Sequence, residues 1–415
     1  MSELPLVCSA AIAVAAIITM VTRPFGWPDW AFAAGGALLV MVVGLESPEH
    51  AALAIRSGLN VYAFLAGIML LSAVAERERL FDLMADWALE LARGSTAMLF
   101  VMLFGVCVVV TAMLSNDTTA VVLTPVFIAV LGRARVAAAP FLYASAFVAN
   151  AASLVFPFSN PANLLMLAGR APALGPWMSG FGFPSVAAIV VTLLGLMAYF
   201  RSDLRGSYTT HPEWPEIRSS GILAAVGIAA TFCAMIWAAM AGVALGFVAL
   251  AGAGVTLTLA RLAARSGDTP KDFPRIAWGV LPLVAGLLVV VDALDRHGAL
   301  RFLSEQLSLL HTSSVWASIA IVGAVTAGSN ALNNLPVALS VAHAFSTAPI
   351  TSRAFHAAII GVDLGPNIFT TGSLSTLLWM RIVRDAGHRV SFRRFALVGL
   401  TVGIPSLLAA ALCVR

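Results

Sequence analysis

The sequence predicts an all-α polytopic membrane protein: about ten transmembrane helices in two inverted repeats, each with a re-entrant hairpin and a broken helix. Three observations carry this prediction. Of 415 residues, 60% are hydrophobic and only 11% charged, with a mean hydropathy of +0.94, where a soluble protein has about 25% charged residues. Two apolar runs, 95–131 and 315–348, are each a little short for two crossings at about 20 residues apiece, and each has a polar centre. The run that follows each of them is interrupted by proline and polar residues.

The composition leaves no room for an ordinary cytosolic enzyme or a sizeable aqueous domain. A net charge of +4 and a pI near 9.2 would suggest nucleic acid in a soluble chain. Here the basic residues sit between apolar runs without an aromatic pattern, so they read as topology signals and imply no nucleic-acid partner. Cys8, Cys107, Cys233 and Cys413 are far apart, each inside an apolar run, which fits small buried hydrophobes better than a disulfide framework or a zinc site. No cofactor motif is present; the small residues of Ala249–Gly254 suit close helix packing and form no phosphate loop.

Along the chain, residues 4–22, 30–45 and 59–75 form three apolar runs. The first lacks a basic leader and reads as a span, not a secretory signal. A charged amphipathic stretch, Glu76–Arg93, precedes the hairpin at 95–131, whose centre is Ser115-Asn116-Asp117-Thr118-Thr119. The run 136–169 is broken at Phe156-Pro157-Phe158-Ser159-Asn160-Pro161-Ala162-Asn163, because proline removes a helix hydrogen bond and displaces the carbonyl one turn back. A closing span at 181–200 completes the first repeat, 1–200, and a cytoplasmic linker is expected over 201–220. The second repeat, 221–415, has the same order: spans at 221–240, 243–260 and 276–291, a charged stretch Asp292–Thr312, a hairpin at 315–348 centred on Gly328–Asn334, a broken helix at 354–380 interrupted over Gly365–Ser373, and a closing span at 395–414.

Asn116 matches Asn333 at an offset of 217, and Asn160 matches Ser373 at an offset of 213. If neither hairpin crosses, each half crosses five times, and an odd number inverts the second half. Distributing Lys and Arg over this topology puts 18 on one side and 6 on the other. The positive-inside rule then places the larger set in the cytoplasm and both termini outside.

Non-helical polar backbone at membrane depth is tolerated only where protein or a wet cavity satisfies it, so the polar tips mark a site. Of 20 acidic residues, only Asp117 and Asp363 fall within the predicted membrane core. A carboxylate there is functional by default, and an alternative role is to cap a broken helix. Asp117 aligns with Asn334 and Asn150 with Asp363, one acid and one amide in each pair. The expected proton-coupling residue is Asp117, with Asp363 second. No Lys or Arg lies in a span core or at a hairpin tip. The expected substrate lining is amide and hydroxyl: Ser115, Asn116, Thr118, Thr119, Asn160, Asn163, Asn330, Asn333, Asn334, Asn367, Thr370, Thr371 and Ser373. That set suits a small neutral polyhydroxy solute or a cation with oxygen ligands. His343 and His356 follow the second hairpin and fit helix packing better than a proton relay.

Several strings resemble one known family: Ser115-Asn116-Asp117 running on to Leu123-Thr124-Pro125, the tip Asn333-Asn334-Leu335-Pro336, and Gly361–Asn367 followed by Gly372–Trp379. Together they are similar to ArsB-type arsenite efflux permeases of the ion transporter superfamily, in order over essentially the whole chain. The resemblance implies export of arsenite and antimonite, as neutral trihydroxides, across the inner membrane in exchange for protons. It also admits a soluble arsenite-stimulated ATPase as a possible partner. One departure is Asn150, where the family pattern has an acid in the first broken helix. Sodium–dicarboxylate relatives carry Ser-Asn-Thr in both hairpins, and here the tips read Ser-Asn-Asp and Asn-Asn-Leu. A sodium–proton antiporter or an anion carrier on the same scaffold is therefore the second reading. An intramembrane enzyme would need a nucleophile–base pair or a metal cluster, and no such spacing occurs.

Overall fold

The computed structural model describes residues 3–167, 173–209, 212–216, 218–264, 276–300, 305, 314–347 and 351–414. These residues are helical, with one isolated antiparallel bridge between Ser95 and Ser207. The first half contains α1 (Glu3–Thr22), α2 (Asp29–Val42), α3 (Pro48–Ser57), α4 (Leu59–Arg77), α5 (Leu80–Leu91), α6 (Thr96–Met113), α7 (Asn116–Val121), α8 (Leu123–Ala134), α9 (Ala139–Ala151), α10 (Pro161–Met166) and α11 (Leu174–Tyr199). The second contains α12 (Ser219–Ala241), α13 (Leu245–Ala263), α14 (Val280–Arg296), α15 (Val315–Leu332), α16 (Asn334–Thr347), α17 (Ser352–Leu364), α18 (Leu374–Asp385), α19 (Phe392–Val398) and α20 (Ile404–Leu412), the last two joined through a π turn at Gly399–Gly403. The charged stretch expected over Asp292–Thr312 lies outside the described residues beyond Leu300, apart from Glu305.

Among the described residues, eight helical segments are long and apolar enough to cross a membrane, including Leu59–Arg77, Leu174–Tyr199, Ser219–Ala241 and Phe392–Leu412, and shorter apolar helices lie at Leu4–Met20, Asp29–Val42 and Asn334–Phe345. The chain is therefore an all-α polytopic membrane protein. Proline alone does not interrupt a span: Pro184 sits inside the 26-residue α11, where protein neighbours can satisfy freed backbone groups. The first hairpin is longer than its apolar run suggests. Its arms are Thr96–Met113, with 18 residues, and Asn116–Ala134, with 19, each spanning about 27–28 Å at 1.5 Å per residue. Arm length therefore does not distinguish a re-entrant hairpin from two crossings. Its tip instead ends in protein, where Ser115, Asn116, Thr118 and Thr119 are all buried.

Helix contacts occur in matching pairs with the halves exchanged. α4 packs on α13, and α2 packs on α14. A methyl at Gly67 of α4 would lie 2.5 Å from the Ala249 backbone of α13, and one at Gly286 of α14 would lie 2.6 Å from the Ala33 backbone of α2. Small residues let these backbones approach where lipid tails give no hydrophobic drive for helix association. α6 packs on α9 as α15 packs on α17, and α7 packs on α18 as α16 packs on α10. An aromatic cluster of Tyr143, Phe147, Phe200, Trp379 and Phe395 joins α9, α18 and α19, with Trp379 fully buried and donating its indole N–H to Ser145 Oγ at 3.2 Å. The linker is tied to the first hairpin base: Tyr208 donates its hydroxyl to Leu89 O at 2.8 Å, and Arg133 pairs with the buried Asp86 at 2.8 Å and Glu213 at 3.1 Å.

Candidate functional site

The first hairpin turns at Leu114 and Ser115, where the Ser115 hydroxyl caps α7 by accepting the Thr118 N–H at 3.2 Å. Two hydroxyl pairs tie the tip to its surroundings, Ser72 with Thr118 at 2.7 Å and Thr111 with Thr119 at 2.7 Å. The first broken helix ends at Ala151 and restarts at Pro161, where Asn160 caps α10 by accepting the Ala162 N–H at 3.0 Å. Tip and break are joined: the Asn116 N–H donates to Ser159 O at 3.1 Å, and Ser159 Oγ donates to Ala112 O at 3.2 Å.

The second hairpin turns at Asn333, whose backbone has φ 74° and ψ 150°. That region is almost exclusive to glycine and costs about 1–3 kcal/mol for other residues. Asn330 holds the second tip against its own break, donating to Gly365 O at 2.9 Å and accepting the Phe369 N–H at 3.0 Å, while Thr371 donates its hydroxyl to Asn330 O at 2.7 Å.

The two breaks interlock across the halves. Asp363, with no exposed surface, accepts hydrogen bonds from Ser153 Oγ at 2.7 Å, Asn160 Nδ2 at 2.7 Å and Asn163 Nδ2 at 3.0 Å. Its carboxylate thus brackets the first break through side chains, not through the backbone N–H groups of a helix cap. In return Asn150 donates to Asn367 Oδ1 at 2.9 Å, and Asn367 donates to Phe147 O at 3.0 Å.

A cavity of about 160 Å³ lies where these parts meet. Ser115, Asn116, Asp117, Thr118, Asn160, Asn334 and Ser373 line it, together with Ser72, Ser375 and apolar side chains of α4 and α14. It extends to exposed Glu76 at the end of α4 and to Ile276 and Ala277 before α14. Asp117 projects from the first turn of α7, a favourable position for a carboxylate, and accepts a hydrogen bond from Ser375 Oγ of the other half. Among the described residues, no Lys or Arg belongs to the lining. All four leading N–H groups of α7 are already bonded: Asn116 to Ser159 O, Asp117 to its neighbour's Oδ1, and Thr118 and Thr119 to Ser115. Those of Ala162 and Asn163 in α10 are bonded to Asn160. These two helix ends are therefore saturated with respect to an anion.

The remaining expected lining residues lie elsewhere. Asn163 sits behind the cavity on Asp363, and Asn367 bridges the breaks. Thr119 faces Thr111, Thr370 is buried in its 3-10 turn, and Asn330 and Thr371 brace the second hairpin. Asn333 lines a small neighbouring space beside Asp29. His356 packs edge-on against Phe181 with centroids 4.8 Å apart, and His343 contacts Asp295 at 2.6 Å. Sequence reasoning missed Ser72, Ser153 and Ser375. Ser375 lies two positions after a motif serine, which was a usable signal; Ser72 sits in an ordinary apolar run and gave none.

A helical membrane fold with a cavity of apolar, hydroxyl, amide and carboxylate groups between hairpin tips and helix breaks is the architecture of a membrane transporter. The chain belongs to the citrate transporter family, whose sequence profile matches residues 9–366. It is 27% identical to an arsenical pump membrane protein of Escherichia coli strain K12 over 428 residues, covering 98% of each chain. A protein of the same name from Yersinia enterocolitica is 27% identical over 377 residues, covering 86% of each. An uncharacterized transporter of Mycobacterium tuberculosis is 26% identical over 374 residues, covering 85% of each.

Proposed function

We propose that this protein is a secondary active transporter that exports arsenite and antimonite, as neutral trihydroxides, across the inner membrane in exchange for protons. The observation that carries this reading is the cavity chemistry. Hydroxyls, amides and the carboxylates of Asp117 and Glu76 line it beside apolar side chains, no Lys or Arg among the described residues belongs to the lining, and the α7 and α10 N–H groups are taken. A citrate anion would meet Asp117 and Glu76 with no compensating charge among the described residues, and an unpaired buried charge is costly. A trihydroxide can donate to Asp117 and accept from amide and hydroxyl donors. The relatives named arsenical pumps support the same substrate class.

In this reading the halves 1–200 and 221–415 are inverted repeats joined by the linker, and both hairpins are re-entrant. The exchanged contacts of α4 with α13 and α2 with α14 support this. With both termini outside, the cavity opens to the cytoplasm at Glu76. Asp117 is the proton carrier. It stands where the first hairpin meets α18, so relative motion of these parts changes both its partner and its exposure. Asp363 is the bracket that keeps the first break in shape.

Uptake of radiolabelled arsenite into everted vesicles, with and without a proton gradient, tests the proposal. Gradient-dependent arsenite uptake that excess citrate leaves unchanged is expected. Gradient-driven citrate uptake without arsenite uptake would favour the anion carrier, and sodium-driven exchange without metalloid would favour the antiporter.

A further inference from the structure

A second cavity of about 210 Å³ lies along the same helices as the first, at their opposite end. On α4 the first cavity is lined by Leu65 and the second by Val61; on α14 the pair is Val284 and Leu288; on α16 it is Leu335 and Leu339. The adjoining α10 repeats the interval with Pro161 and Leu165. Every step is four residues, about 6 Å along a helix axis, and on all four helices it runs in the same spatial direction. The two cavities are thus collinear and separated by a single helical turn. The side chains in that turn are buried, Val61 at 2%, Leu65 and Leu165 at 4% and Leu339 at 6% exposure.

The Tyr62 hydroxyl, buried and without a hydrogen-bond partner among the described residues, lies behind the Gly58 wall of this cavity and does not line it. At the far end the cavity reaches Ser57, Asp292 and His343.

We propose that the second cavity is the other half of the substrate pathway, a vestibule and waiting subsite for a small neutral polyhydroxy solute. One turn of apolar side chains seals it from the central site. The solute class rests on the function proposed above; the pathway itself rests on the geometry alone.

Single cysteines at Leu65 and Leu339, in a full-length variant whose four native cysteines are replaced by serine or alanine, test this with a charged, membrane-impermeant methanethiosulfonate. Leu65→Cys is expected to react only in everted vesicles and Leu339→Cys only in intact cells, with modification at either position blocking efflux. Val291→Cys, which lines the same vestibule, serves if Leu339→Cys is absent from the membrane. Reaction from opposite but exchanged sides would retain the pathway and overturn the proposed orientation. Reaction of both from one side, or modification that leaves transport intact, would overturn the pathway.

Discussion

Replacing Asp363 by Asn tests its bracketing role, because one carboxylate holds three donors from the other half. Its Oδ1 accepts from Asn160, and its Oδ2 accepts from Ser153 and Asn163. An amide has one acceptor oxygen. Placed at the Oδ2 position, that oxygen keeps the Ser153 and Asn163 bonds but turns an NH2 towards the Asn160 NH2. The opposite orientation keeps Asn160 and confronts Asn163, while Ser153 can rotate to accept. Either way one amide donor faces another in a fully buried site, at a cost of about 1–3 kcal/mol. Alanine removes all three bonds and leaves a void: Ser153 and Asn163 keep the carbonyls of Asn150 and Ser153, while the Asn160 amide is left unpaired, on the order of 3 kcal/mol or more together with the void. The assay is the thermal midpoint of the purified protein in detergent, followed by monodispersity or intrinsic fluorescence, beside proton-driven arsenite efflux. The expected order of stability is wild type, then Asp363→Asn, then Asp363→Ala, with proton-driven efflux retained in part by the Asn variant. An Asn variant that melts like wild type but has lost proton exchange would refute the bracket and make Asp363 a proton carrier.

Asn333 provides a second test, since Ala and Gly both remove its amide but only Gly relieves φ 74°. Asn333→Gly should be more stable than Asn333→Ala by about 1 kcal/mol or more; if the amide also contacts substrate, both should weaken apparent affinity equally. A third concerns pH at the turn between α2 and α3. Burial, with the Asp292 carboxylate nearby, raises the Glu46 carboxyl above its ordinary value against the opposing pull of Arg296. A raised folded-state value means the ionised form is disfavoured, so the stability held by neutral Glu46 is present at low pH and lost as pH rises through the carboxylate range. The melting temperature of Glu46→Gln relative to wild type should therefore increase over that range, and a pH-independent difference would count against this account.

Much of the architecture was legible in local sequence. Apolar run lengths gave the spans, and the strings Phe156–Asn163 and Gly365–Ser373 marked both breaks, because proline and clustered amides act on the backbone where they stand. Of the central cavity's polar lining, Asn160 and Ser373 lie in these strings and Ser115, Asn116, Asp117, Thr118 and Asn334 in the hairpin tips. What was not legible is how the halves interdigitate. Asn150 and Asn367, 217 residues apart, form one hydrogen bond, and nothing near either residue specifies its partner. For the same reason Asp363, a candidate proton carrier in the sequence, is found holding Asn160 and Asn163 of the other half. Conversely, Asn333 looked like substrate lining, and the structure adds a backbone role at the turn that residue type alone does not reveal.

In the proposed exchange, Asp117 carries the proton traded for substrate in the cavity between the hairpin tips and the breaks. Asn keeps the size of the side chain and mimics the protonated acid, so Asp117→Asn in everted vesicles is the most direct test, with arsenite flux and internal pH recorded together. The account predicts that the variant still binds arsenite but neither accumulates it against a gradient nor moves protons when arsenite is added. Arsenite accumulation with proton release equal to wild type would contradict it and place the proton site elsewhere.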